Sequence, residues 1–193
     1  IGAEATLVHA MVIYQIGDQE TPAEATAMRA CRERWESSPP ELEALSLACG
    51  AWLAVFEKNS ELAVRRAQEA QEIAPDLLPA ILAEAVAWGR LLDIAKTQAL
   101  IDRAQTLVPD HPAPAFLRVL TYAHVRNQDA ALKACERALA LVSPNPPWGA
   151  ARHYAHSLYG LKRFDELTEF AKQGVVTNPS NPRWRFALGL VYA

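Results

Sequence analysis

Leu42, Leu45, Ala48, Cys49, Trp52, Val55 and Phe56 recur at steps of three and four residues, the spacing that puts side chains on one helical face. A polar turn, Lys58-Asn59-Ser60, interrupts them. Ala63, Ala67, Ala70 and Ile73 then step down a second helix until Pro75 ends it. The same two-helix pattern returns along the chain. Its second helices close as EAQEIAPD at 69–76, RAQTLVPD at 103–110, RALALVSP at 137–144 and QGVVTNPS at 173–180. Pro40, Pro75, Pro109, Pro144 and Pro179 fall 34 or 35 residues apart. A fixed period of this size marks a solenoid of stacked helical hairpins.

The pattern predicts an all-α chain, residues 1–193 forming one array of antiparallel hairpins. Its units cover about 3–38, 41–76, 78–110, 112–145 and 147–180, with a half unit at 182–193. Turns fall at Ile16-Gly17-Asp18 and Asn127-Gln128-Asp129, and Pro22 opens the second helix of the first unit. Alanine recurs on the second helices because two helices approach closely only where small side chains leave room for ridges to enter grooves.

These residues resemble tetratricopeptide repeats, whose signature combines Trp, Leu-Gly and Tyr in the first helix, small residues in the second and a closing proline. Trp184, Leu188-Gly189 and Tyr192 match best, with the tryptophan one residue further from the leucine than the pattern asks. Tyr14, Trp88, Tyr122 and Leu158 take the tyrosine place in other units. Ala23, Ala63 and Ala131 open the second helices, where Thr97 and Leu167 depart from the pattern; Ala30, Ala70, Ala104, Ala138 and Gly174 take the later small place. The resemblance covers essentially the whole chain and implies an α-α superhelix whose first helices line a concave groove. Carried over residue by residue, it places Val8, Val12, Ala48, Trp52, Phe56, Leu82, Val86, Phe116 and Leu120 on that groove. Arg152, His153 and His156 follow from the fifth unit, then Arg183 and Phe186 from the last helix. Part of this set is expected to serve as interhelical packing. Chaperone-binding members of the family hold an acidic C-terminus with a lysine, asparagine and arginine set that has no match here.

Charge adds polarity along the rod. Residues 1–100 hold 8 basic and 15 acidic side chains, a net of −7, and residues 101–193 hold 11 and 7, a net of +4. A mostly apolar groove with a basic end suits an amphipathic helix, or an extended segment with apolar side chains and an acidic flank. The overall charge of −3 opposes the other 35-residue hairpin repeat, the pentatricopeptide type, which reads RNA through a basic groove. No nucleic-acid partner is expected.

Candidate chemistry changes little. The chain holds no Gly-rich phosphate loop, HExxH or GxSxG. His153 and His156 share a helix face, yet no third ligand stands near them in sequence, so groove-lining histidines are the simpler reading. No catalytic residue, metal or cofactor is expected. Cys31, Cys49 and Cys135 are isolated and read as buried thiols; reduced thiols lean towards a cytoplasmic address. The uncharged run Ala44 to Phe56 is well short of the ~20 residues that span a bilayer.

The function expected is a non-enzymatic protein-interaction module. Two alternatives are a regulatory or sensory domain of a larger enzyme or transcription regulator, and a subunit that self-associates acidic end to basic end. The half unit PRWRFALGLVYA is too apolar for one helix to bury against one neighbour. With no methionine at Ile1, it suggests a piece of a longer chain, or an end covered by another subunit.

Overall fold

The structure, a computed structural model, describes residues 40–142 and 148–192 together with Thr26, Arg29 and Glu33. Apart from these three residues the expected first hairpin, Val8 and Val12 included, lies outside the described residues. Nine α-helices and no strand occupy the described residues: α1 (Pro40–Phe56), α2 (Ser60–Ile73), α3 (Leu78–Arg90), α4 (Ile94–Leu107), α5 (Pro112–His124), α6 (Gln128–Val142), α7 (Trp148–Gly160), α8 (Phe164–Thr177) and α9 (Pro182–Tyr192).

Each hairpin is turned by the same device. Lys58, Leu92, Arg126 and Lys162 have φ of 60°, 63°, 55° and 58°, in the left-handed region. In each turn the following amide bonds back across six residues: Asn59 to the carbonyl of Ala54 (2.8 Å), Asp93 to Trp88 (3.0 Å), Asn127 to Tyr122 (3.0 Å) and Arg163 to Leu158 (2.9 Å). This is a Schellman ending, which satisfies the last carbonyls of the first helix. The chain enters the second helix at once. Side chains of Asn59, Asp93 and Asn127 accept from the amides of Leu62, Lys96 and Ala130, capping α2, α4 and α6. Arg163 instead chelates Glu166, with both bonds at 2.6 Å.

The turns between hairpins carry the period prolines. The amides of Leu77, His111 and Asn181 bond the carbonyls of Ala74, Val108 and Asn178, each at 3.1 Å. Pro75, Pro109 and Pro179 therefore sit second in a four-residue turn, where their fixed φ is already correct.

Packing follows from the small residues. Ala63, Ala67 and Ala70 on α2 are fully buried, as are Ala104 on α4, Ala131 and Ala138 on α6, and Ala171 on α8. At Gly174 a β-carbon would run into the indole of Trp184, so only glycine lets α9 seat its tryptophan on α8. Each second helix packs against its own first helix and the next one, and α1, α3, α5 and α7 pack successively on one another. The first helices thus make an inner layer and the second helices an outer one. The core is a string of clusters: Trp52, Ile81, Leu82 and Ile101; then Phe116, Val119 and Cys135; then Leu132, Leu158 and Leu167.

Candidate binding groove

Two hollows border the inner helices, the first reaching back to the outer helix α4. One, of about 250 Å³, lies between α3, α4 and α5, with Val86, Leu117 and Leu120 as apolar lining, Thr97 and Thr121 beside them and Arg90 among its walls. The other, of about 450 Å³, is lined by Leu120 and Ala123 of α5 and by Arg152, His153 and His156 of α7. Leu120 belongs to both. One aliphatic side chain thus contributes to the walls of both.

The fate of each expected groove residue follows from the layering. Leu120, Arg152, His153 and His156 do come together, and Val86 lines the neighbouring hollow while only 9% exposed. Trp52, Leu82 and Phe116 do not line the groove: they are 0%, 0% and 2% exposed. The reason is that an inner helix such as α3 or α5 packs on both neighbouring inner helices and on two outer ones, so most of its girth is core. Trp52 makes this explicit, its indole donating to the carbonyl of Pro79 at 2.9 Å and so pinning α1 to α3. Phe56 lies against it, ring centroids 6.3 Å apart. Arg183 is exposed on α9 and lines neither hollow.

Sequence reading overlooked Arg90. It ends α3 and donates to the carbonyl of Val55 across the hairpin junction. Burial lowers its pKa from the ordinary arginine value, the mark of a cation that has shed part of its water. The signal available was its place: a cation in the last turn, beside carbonyls that the helix leaves exposed.

Neither hollow has a carboxylate in its lining. Helices α5, α7 and α9 contain no Asp or Glu at all, and α3 contains only Glu84. Glu84 is 7% exposed and faces the outer layer. Its Oε1 accepts from Gln68 (2.8 Å) and Trp88 (3.1 Å), and its Oε2 from Gln71 (2.7 Å). Gln71 in turn accepts from Arg103 at 2.9 Å. A buried acid this well satisfied serves the α2–α3 junction. The next acid in the chain, Asp93, caps α4 and pairs with Lys96 at 3.2 Å.

Beneath α7 the surroundings are apolar. Tyr154 meets Phe170 edge-on at 4.7 Å, and Phe170 meets Trp184 at 5.2 Å. Burial, reinforced by Glu136 and Glu166, raises the phenol's pKa. Burial likewise pushes the Cys135 thiol up to about 12, leaving it a packing group rather than a nucleophile. Among the described residues no three His, Cys, Asp or Glu side chains are grouped to hold a metal ion. No helix there is long and apolar enough to cross a membrane.

No family model and no curated protein matches the chain. Solved structures do. The chain is similar to TTC0263, a thermophilic TPR protein of Thermus thermophilus, with a TM-score of 0.71 at 16% identity over 98% of both chains. It is also similar to a MamA double mutant (RS-1 ArsTM), with a TM-score of 0.63 at 16% identity over 77% of this chain and 83% of that one. The protein has the tetratricopeptide-repeat fold, an all-α solenoid.

Proposed function

We propose that the protein is a non-catalytic interaction scaffold that holds a segment of a partner protein against its inner layer. The observation that carries this reading is the pair of hollows sharing Leu120, aliphatic at the centre and edged by Arg152, His153 and His156. A groove of rigid helices with an apolar floor and cationic walls suits an amphipathic or extended segment with apolar side chains and an acidic flank. Apolar contact supplies affinity, and the cations supply orientation and partner choice.

Site-specific photo-crosslinking tests this. A photoreactive residue at Leu120 should capture a discrete partner, whereas one at Arg137 on the outer helix α6 should not. Capture at Leu120 should fall when Arg152 and His156 are both changed to Glu. Equal capture from both positions would refute a groove-borne interaction.

Self-association is a second reading, favoured by the charge gradient along the chain and by Phe186 of α9, which is 68% exposed. It requires a sedimentation coefficient that rises with concentration and falls back as salt screens the charges. A coefficient constant across both would remove it.

A further inference from the structure

We infer that Arg90 and Arg152 form a pair of anion-recognising residues on either side of Leu120, selecting a partner segment with an aliphatic residue between two acidic ones. This rests on the groove reading above and goes further by naming the segment's chemistry and a residue, Arg90, that the expected groove set omitted although it stands one period of 34 residues after Phe56.

Three observations support it. Arg90 lines the smaller hollow and Arg152 the larger one, and Leu120 lies on the boundary of both. Neither hollow has a carboxylate in its lining. The acids of α3 and of the turn after it serve other elements, Glu84 through Gln68, Gln71 and Trp88, and Asp93 through the start of α4 and Lys96. The lining therefore brings cations and no acid, and complementarity asks the ligand to bring the negative charge.

The two arginines differ in a useful way. Arg152 is exposed, and Arg90 is half-buried. A guanidinium beside apolar walls, already partly stripped of water, attracts a carboxylate more strongly than one in bulk solvent. Arg90 is thus the more discriminating point and Arg152 the steering one. Thr97 and Thr121 send their hydroxyl protons to the carbonyls of Asp93 and Leu117, at 2.8 and 2.9 Å. Neither hydroxyl proton competes with Arg90 for an incoming acid. The occupant is an extended segment, in which every second side chain faces the floor, so an acid, an aliphatic residue and an acid at i, i+2 and i+4 can all reach the lining in a row.

Blocked synthetic peptides provide the test, each with a central leucine flanked by two glutamates at two, four or six residues' separation. Matched controls carry glutamine or lysine in place of glutamate. NMR of the protein follows the Leu120 methyls and the side-chain Nε–H of Arg90 and Arg152, and fluorescence anisotropy gives affinity. At least one glutamate peptide should shift all three groups, and the glutamine and lysine peptides should bind at least tenfold more weakly. Arg90→Gln and Arg152→Gln should each weaken binding about tenfold, the loss of one charge-assisted hydrogen bond, and each should flatten the salt dependence. Because Arg90 also holds the Val55 carbonyl, Arg90→Lys and a melting curve are run beside it; Arg90→Lys should keep most of the affinity. If glutamine peptides move the Leu120 methyls as far as glutamate peptides do, the two-acid pattern is wrong while the groove reading stands. If no peptide moves Arg90 at millimolar concentration, the inference falls, and the crosslinking result judges the groove by itself.

Discussion

At the scale of single residues, two positions have consequences that a melt can read. The Nδ1 of His111 accepts from the amide of Ala113 at 3.1 Å and so caps α5. Burial lowers its pKa from 6.5, so the fold prefers the neutral ring. The stabilisation is present in full above the ordinary value and is lost as pH falls through the lowered one. Protonation also turns the accepting nitrogen into a donor facing another donor. Melting temperature should therefore drop between pH 7.5 and 5.5 by more in the wild type than in His111→Asn, which keeps a capping oxygen. Equal slopes would mean that His111 is not coupled to folding. Leu92 is the second position. It is 71% exposed with φ 63°, a conformation costing an L-residue about 1–2 kcal/mol that glycine avoids. Glycine also loosens the unfolded chain, so Leu92→Gly should stabilise by about 0.5–1 kcal/mol net in denaturant titrations. A loss would show that the leucine side chain contributes packing that its exposure conceals.

At the scale of helices, small residues set the spacing. Ala70 and Ala138 are 0% exposed, so Ala70→Trp or Ala138→Trp should overpack an interhelical contact and cost about 1–3 kcal/mol or more. Two unchanged melting curves would put the packing register in error. The hairpin fold was legible in the sequence because proline, alanine and turn residues act locally and recur at a fixed step. The groove was legible only in part. Ala48 to Phe56 are buried all round α1, so no amphipathic stripe separates the residues facing a neighbouring helix from those facing the groove. Trp52, Leu82 and Phe116 belong to the first group, and Leu120 escapes it because it sits between the two hollows. Arg90 was legible from the register, one period of 34 residues after Phe56. That it lines a hollow depends on the approach of α3 to α5, a non-local fact.

At the scale of the whole molecule, charge and layering combine. The inner helices α5, α7 and α9 carry arginines and histidines without a carboxylate, and the outer helices α6 and α8 carry Asp129, Glu136, Asp165, Glu166 and Glu169. Lys133 and Arg137 offset the two acids of α6, and Lys172 one of the three on α8, so in this half of the array the inner layer is the more positive of the two. Backbone hydrogen exchange should show the consequence of stacking: protection greater in α3 to α6, packed on hairpins to either side, than in the largely exposed α8. Uniform protection would mean that the array opens as one unit.

The packing of each described hairpin chiefly on its immediate neighbours also gives the molecule a mechanical character. Helices joined side by side, with no strand or disulfide tying distant parts together among the described residues, behave as a spring whose coils slide before they break. A weak pull along its axis would lengthen the array by small changes at each inner-helix contact, spreading the hollows on either side of Leu120. A stronger pull would detach hairpins one after another, in steps near the length of one repeat. A partner laid across α3, α5 and α7 would stiffen that spring, so tension and occupancy of the groove oppose each other.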